Sequence, residues 1–483
     1  MLQRTPWCAP LLVALVATSG VSSLVAKPSS AWRLPSAVVN KPTVPITMSA
    51  SSKPYDLVVF GATSFTGKLA AEYLLNQYGA SPESFKWAMA GRSAEKLAQT
   101  KEYLASECNN EAAKEVPCIT ADSHSVADME RLVSQTRVVV TTVGPYNRYG
   151  SELVAACAKT GTHYCDLTGE GLWVRDMINK HHAEAEASGA MILPSTGFDS
   201  LPPDLTTFML TEHFQRVYNR LPEEMDYYIT GMLTSPSGGT MNTVTDMMGK
   251  RWTEGKKLQA RMDDNQLLAH PPAVGGAPVP PGPALYAPTG VGLCPDMKGW
   301  KSVFPLAVHD AHIVQRSLAL RGLEPIKFQE FYAHKGRFMG LVETIVRTFS
   351  LAIIFPCLLF PPTRALFQRF LLPASGQGPS KKIRETGYFW AEGVAKAGQQ
   401  VVRCRAGTDV GDPGYKVSAF RMMVECGLTL ALDGDKLPRK TGGIVTAGAQ
   451  LGMAVVERLR NVGFTFTILD PRDPTPAPGP GRG

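Results

Sequence analysis

The chain has 483 residues, 44% hydrophobic and 19% charged, which is too long for one core and excludes a wholly disordered or fibrous protein. Much of its formal charge of +7 sits in the first 55 residues and one later segment, and with no recognition motif present it excludes nucleic acid as a partner. Nine cysteines, from Cys8 to Cys426, form no C-x-x-C pair and no His/Cys cluster at zinc spacing, so reduced thiols and no metal site are expected.

Residues 1–54 read as an address. They contain no acid, and Asp56 is the first. Arg4 precedes an apolar run, Ala9 to Ala17, of signal-peptide length, and a Ser/Pro/Ala-rich tract with Lys27, Arg33, Lys41 and Lys53 follows. A hydrophobic leader before a basic, acid-free tract predicts a bipartite plastid presequence. A secretory or endomembrane signal and a mitochondrial presequence stay open.

Folded sequence begins with the strand run Tyr55 to Phe60, followed by Gly61-Ala62-Thr63-Ser64-Phe65-Thr66-Gly67 and a helical pattern from Lys68. Strand, glycine turn and helix in this order predict a dinucleotide site. Gly61 permits the tight turn, Gly67 lets helix and strand approach, and the helix start presents N–H groups and its dipole to a pyrophosphate. The second strand, Phe85 to Ala90, ends at Gly91-Arg92-Ser93, where an NAD enzyme carries an acid for the ribose 2′-hydroxyl. Arg92 and Ser93 instead suit a 2′-phosphate, so NADP(H) is the expected cofactor. A third strand, Val116 to Thr120, ends near Asp122, which either meets the adenine edge or caps the next helix. The fourth, Arg137 to Val143, leads into Gly144, Pro145 and Tyr146, so Val143 to Tyr146 should pass beside the nicotinamide. A helix from Ser151 to Thr160 and a strand from Thr162 to Leu167 continue the alternation, with His163 and Asp166 on that strand.

The motifs G-A-T-S-F-T-G (61–67), A-G-R-S (90–93), V-G-P-Y (143–146), Y-C-D-L-T-G-E (164–170) and G-F-D-S-L-P-P-D (197–204) resemble those of the saccharopine-dehydrogenase-like oxidoreductases. That group includes bacterial trans-acting enoyl reductases, and the similarity runs through nearly all of residues 55–467. The resemblance implies an α/β fold: an N-terminal Rossmann domain that binds NADP, a second, mixed α/β domain over its crevice, and a C-terminal helix (Thr446 to Arg460) returning to the first domain. At Ser64 the family pattern usually has glycine. The expected organisation is a presequence over 1–54, a Rossmann domain over 55–200, a substrate domain over 201–440, a helix and strand over 441–468 packing on the Rossmann domain, and a disordered Pro/Gly-rich tail over 469–483.

Gly197-Phe198-Asp199-Ser200 and its prolines look like a hinge or pocket wall between domains. Asp199 either orients substrate there or caps the helix expected from Leu201 to Leu210. Reduction of C=C or C=N needs a proton donor beside the hydride acceptor; Tyr146 and Asp199 are the candidate catalytic residues. Seven prolines in 271–288 predict an extended loop.

Phe349 to Phe360 is the most apolar stretch after the leader. Twelve residues do not span about 30 Å of hydrocarbon, and Pro356 interrupts them. With Lys335, Arg337, Arg347, Arg364, Arg369, Lys381, Lys382 and Arg384 around it, the segment suits an interfacial anchor on anionic lipid; a core helix is the alternative. The expected function is therefore an NADPH-dependent reductase of a small lipophilic molecule at a membrane or lipid-body surface. An amino-acid or imine reductase and a cofactor-binding scaffold without turnover are the rivals, and a homodimer is left open.

Overall fold

The computed structural model describes residues 53–80, 85–262, 264, 266–269, 290–374, 377–409, 411–414, 419–470 and 472. The leader, the proline-rich stretch and most of the tail lie outside the described residues.

Two seven-stranded sheets organise the chain. The first holds β1 (Tyr55–Phe60), β2 (Trp87–Gly91), β3 (Cys118–Thr120), β4 (Thr136–Thr141), β5 (His163–Cys165), β6 (Met191–Leu193) and β13 (Gly443–Ile444). Their order is β13-β6-β5-β4-β1-β2-β3 and every pair is parallel, the doubly wound arrangement with a seventh strand added at one edge. Central strands of such a sheet are covered on both faces, which is why β1 and β4 read as unbroken apolar runs. Helices α1 (Phe65–Tyr78), α2 (Ala94–Glu107), α3 (Val126–Ser134), α4 (Tyr146–Tyr149), α5 (Ser151–Thr160) and α6 (Gly171–Ser188) make the crossovers.

The second sheet holds β7 (Glu224–Leu233), β8 (Gly292–Cys294), β9 (Gly299–Val303), β10 (Lys327–Lys335), β11 (Tyr388–Ala397), β12 (Gln400–Thr408) and β14 (Thr465–Leu469), in the order β14-β12-β11-β7-β10-β9-β8. Only its β7–β10 pair is parallel. Helices α7 (Leu201–Tyr218) and α9 (Ala307–Leu320) pack against it and each other. The remaining helices are α8 (Gly238–Met262), α10 (Phe338–Leu359), α11 (Pro361–Phe370), α12 (Lys381–Thr386), α13 (Ala419–Leu432), α14 (Ala447–Gln450) and α15 (Gly452–Asn461).

The expected domain boundaries shift in two places. Helix α13, assigned by sequence to the substrate domain, covers the Rossmann sheet. A Cβ on its Gly427 would stand 2.6 Å from Val140 and 3.1 Å from Leu57, so glycine sets how closely the helix can lie. The C-terminal segment is divided between the sheets: β13 joins the Rossmann sheet beside β6, while β14 pairs with β12 in the other sheet. The first residues of the expected tail belong to the fold, since Asp470 accepts hydrogen bonds from His213 and Tyr218, each at 2.7 Å.

The apolar segment is part of a longer element than its sequence suggests. Helix α10 runs 22 residues, Phe338–Leu359, with Pro356 inside, and it is long and apolar enough to cross a membrane by length and composition. Gly340, Thr344, Ser350, Ile354 and Leu358 form its buried stripe, while Phe338, Ile345, Phe349 and Ile353 face outward.

Candidate active site

The glycine turn is built as a phosphate cradle. Gly61 has φ +86°, and a Cβ there would stand 2.7 Å from Val143. A Cβ on Gly67 would stand 2.1 Å from the Gly61 carbonyl oxygen, so the close approach of helix and strand requires glycine at both places. Ser64 replaces the usual glycine without strain, because its φ of −74° is open to any residue. Its hydroxyl accepts from Gly67 N–H at 2.9 Å and pairs with the Thr142 hydroxyl at 2.9 Å, capping α1 and tying the turn to the end of β4. The amide N–H groups of Thr63 and Thr66 have no partner among the described residues, the donor set a pyrophosphate needs.

Arg92 is exposed at the end of β2 and makes no hydrogen bond among the described residues. Ser93 caps α2 by accepting from Lys96 N–H at 3.2 Å. Asp122 closes a local turn, accepting from His124 N–H at 3.0 Å, and does not cap α3, whose cap is Ser125. Gly144 is exposed and Val143 and Pro145 half-buried at the carboxyl end of β4, where this topology places its ligand. The residues present fit NADP(H): turn 61–67 for the pyrophosphate, Arg92 and Ser93 for the 2′-phosphate, and 143–145 along the nicotinamide.

Tyr146 does not fill the expected role of proton donor. Its hydroxyl donates to the Thr141 carbonyl at 3.2 Å and accepts from Leu167 N–H at 3.1 Å, and its ring packs against Trp173. Burial, with Asp166 nearby, pushes its pKa well above the usual range. It holds the floor of the crevice. His163 is likewise structural, accepting from Met191 N–H at 3.0 Å, with burial pushing its pKa down to about 4. Asp166 accepts from Thr168 N–H, Ser195 N–H and the Tyr164 hydroxyl, and burial raises it to about 7 despite these bonds.

Asp199 is different. Helix α7 begins after Ser200 with no side-chain cap, so Asp199 caps nothing. It is solvent-accessible and yet surrounded by protein, the position of a group on the floor of a cleft, and this crowding raises its pKa to about 6. It lines a small cavity of about 10 Å³, the size of a single water, with Phe198, Tyr227, Ile229, Phe304, Glu330 and Phe389. Sequence reasoning missed Glu330 and its neighbour Asp310. The available signal was the alternation Phe328, Glu330, Tyr332, His334 on one face of β10, an acid in a row of buried residues. No cluster of metal-ligating side chains is found among the described residues.

A doubly wound parallel sheet with this cradle, a cation in place of the ribose-binding acid, and a mixed sheet closing the crevice together define an NADP-dependent oxidoreductase. The model of the saccharopine dehydrogenase NADP binding domain matches residues 57–193. A trans-acting enoyl reductase of Mycobacterium leprae is 32% identical over 433 residues, 87% of this chain and 99% of the relative. A Mycobacterium tuberculosis relative is 33% identical over 430 residues, 87% of this chain and 98% of its own. The chain belongs to the saccharopine-dehydrogenase-like oxidoreductases, the family that includes the trans-acting enoyl reductases. Among solved structures, saccharopine dehydrogenase (L-Glu forming) of Saccharomyces cerevisiae aligns with a TM-score of 0.43 at 10% identity, over 86% of this chain and 100% of that one.

Proposed function

We propose that the protein is an NADPH-dependent reductase that saturates a C=C bond of a lipophilic substrate at a membrane or lipid-body surface. The observation that carries the surface reading is the outward face of α10 and α11, where Phe338, Ile345, Phe349, Ile353, Phe360, Leu366 and Phe370 are all exposed. Five of the surrounding cations, Lys335, Arg337, Arg369, Lys381 and Lys382, are exposed where they could meet anionic headgroups, with Lys381 also paired to Glu107 at 3.5 Å. The other three turn inward. Arg347 lies over the Tyr332 ring, Arg384 over Phe65, and Arg364 donates to carbonyls at the end of α10.

The names of the relatives support an enoyl group. Bound NADPH supplies the hydride; the chain contributes the cradle and the 2′-phosphate cation. The acid-free leader supports a plastid address, which fractionation of the source cell tests. The direct test supplies NADPH and an enoyl lipid in anionic vesicles and follows NADPH absorbance together with product mass. Loss of NADPH matched by a two-hydrogen mass gain is expected. NADPH that binds and is never consumed refutes the reading in favour of a scaffold.

A further inference from the structure

Three carboxyl groups that sequence separates widely meet beneath the crevice: Asp199 before α7, Asp310 on α9 and Glu330 on β10. Asp310 accepts from the Ser200 hydroxyl at 2.6 Å. Its second oxygen, Oδ2, and Glu330 Oε2 are sealed from solvent and make no well-formed hydrogen bond among the described residues, and the same holds for the Tyr227 hydroxyl. Glu330 and Tyr227 line the cavity with Asp199, and that cavity has room for a water molecule, whose partners the Glu330 carboxyl and the Tyr227 hydroxyl would be. The groups facing the cluster are Asp199 from the loop after β6, Thr206 on α7, Tyr227 on β7, Asp310 on α9, Glu330 and Tyr332 on β10, Arg347 on α10 and Cys404 on β12. The one cation among them, Arg347, is engaged with the Tyr332 ring. Carboxyls packed together in apolar surroundings without a paired cation cannot all ionise.

We propose that Asp199, Asp310 and Glu330 form the proton supply of the reduction, with Asp199 protonating the substrate and the other two restoring its proton through a water in the cavity. This rests on the reductase reading above. As one carbon of the double bond takes the hydride, the Asp199 O–H bond breaks and its proton forms the C–H bond on the adjacent carbon. That leaves a saturated product, oxidised cofactor and an Asp199 carboxylate. A proton from the Glu330–Asp310 pair then returns to Asp199, and solvent reaching the cleft through the accessible Asp199 replaces it. Asp199 is the catalytic residue, and Asp310 and Glu330 act through it. Burial, with each neighbour's charge, raises Asp310 to about 8 and holds Glu330 well above the usual carboxylate range, so the pair keeps its protons at neutral pH and gives one up only to the charged Asp199 left after turnover.

The first test needs neither cofactor nor substrate. Infrared spectra of the full chain across pH should show protonated carboxyl C=O bands at neutral pH, diminished in Glu330→Gln and in Asp310→Asn. Spectra with every carboxyl ionised at neutral pH overturn the proposal. The second test uses NADPH and an enoyl lipid in vesicles. Asp199→Asn should lower kcat on the order of 10²–10⁴-fold with NADPH affinity and melting unchanged. Glu330→Gln should keep KM and move the alkaline limb of the kcat–pH profile to lower pH. Turnover by the unmodified protein that survives Asp199→Asn overturns the donor assignment while sparing the reductase reading. Protonated carboxyl bands with no turnover on any enoyl lipid show that the reductase reading has failed, and the supply role falls with it.

Discussion

The outward face of α10 can be removed without touching its buried stripe, and this separates lipid binding from folding. Ile345, Phe349 and Ile353 are 54%, 68% and 53% exposed, so each already has about half or more of its surface in water. Replacing all three by Ser should change folding stability by no more than about 0.5 kcal/mol each, the usual range for surface positions. On a membrane the same side chains gain burial. Full burial of such a side chain is worth about 1.5–3 kcal/mol, and the fraction still exposed scales this to about 1–2 kcal/mol each. The triple variant should therefore lose about 3–6 kcal/mol of lipid affinity, or on the order of 10²–10⁴-fold in partitioning. Flotation with anionic vesicles measures the loss, and melting and NADPH titration supply the controls. High salt should weaken the unmodified protein's binding in part, because exposed cations near the surface contribute about 1 kcal/mol each. Ile354→Ala and Leu358→Ala give the opposite pattern: these residues are 9% and 2% exposed, and each truncation should cost about 2–5 kcal/mol of stability. Undiminished flotation of the triple variant refutes the anchor, and a collapse of its melting transition shows that the outward face is covered in the folded protein.

Arg92→Ala should cost roughly 1.5–3 kcal/mol of NADPH binding and little of NADH binding, the scale of one charge-assisted hydrogen bond, as calorimetry with both cofactors would read. Equal affinity of the unmodified protein for both refutes the 2′-phosphate role. Stability should fall as pH rises from about 7.5 to 8.5. Asp310 has a folded pKa raised to about 8, so the folded state keeps a proton that the unfolded chain has already released, while His163, His309 and His312, all lowered by burial when folded, are by then largely neutral in the unfolded chain as well. Asp310→Asn should flatten the slope by about 1 kcal/mol per pH unit at the start of this window in urea titrations; an unchanged slope refutes the assignment. A chain beginning at Ser49 should fold and bind NADPH. One beginning at Tyr55 should melt lower, because Lys53 donates to Val133 O, Thr136 O and Thr162 Oγ1 at 3.1, 2.9 and 2.7 Å, and losing these should cost about 1–3 kcal/mol.

The nucleotide half is legible in sequence because its information is local. Buried parallel strands need continuous apolar runs, and the glycines sit where backbone geometry requires them. Ser64 departs from the expected pattern and still works, because its φ is ordinary and its hydroxyl caps α1. Beyond that half the signals become long-range. A two-residue strand such as β13 has no periodicity to read, and nothing in residues 419–432 says which sheet α13 will cover. Arg347 makes the apolar run appear to begin at Phe349; its inward turn over Tyr332 lets α10 extend back to Phe338, and a charge that ends a hydrophobic pattern on paper does not end the helix. The same argument governs the site. Asp199 stands in a recognisable turn, but a sequence cannot distinguish a carboxylate that caps a helix from one that caps nothing, and here that difference decides between structure and chemistry. Asp310 and Glu330 lie 111 and 131 residues beyond Asp199 in the chain and follow no motif, so their grouping comes only from the packing of α9 and β10 against the loop that ends the Rossmann sheet. Because that grouping holds carboxyls with no paired cation, it raises folding cost at neutral pH, and a cost concentrated at a crevice is where a functional role is most economically sought.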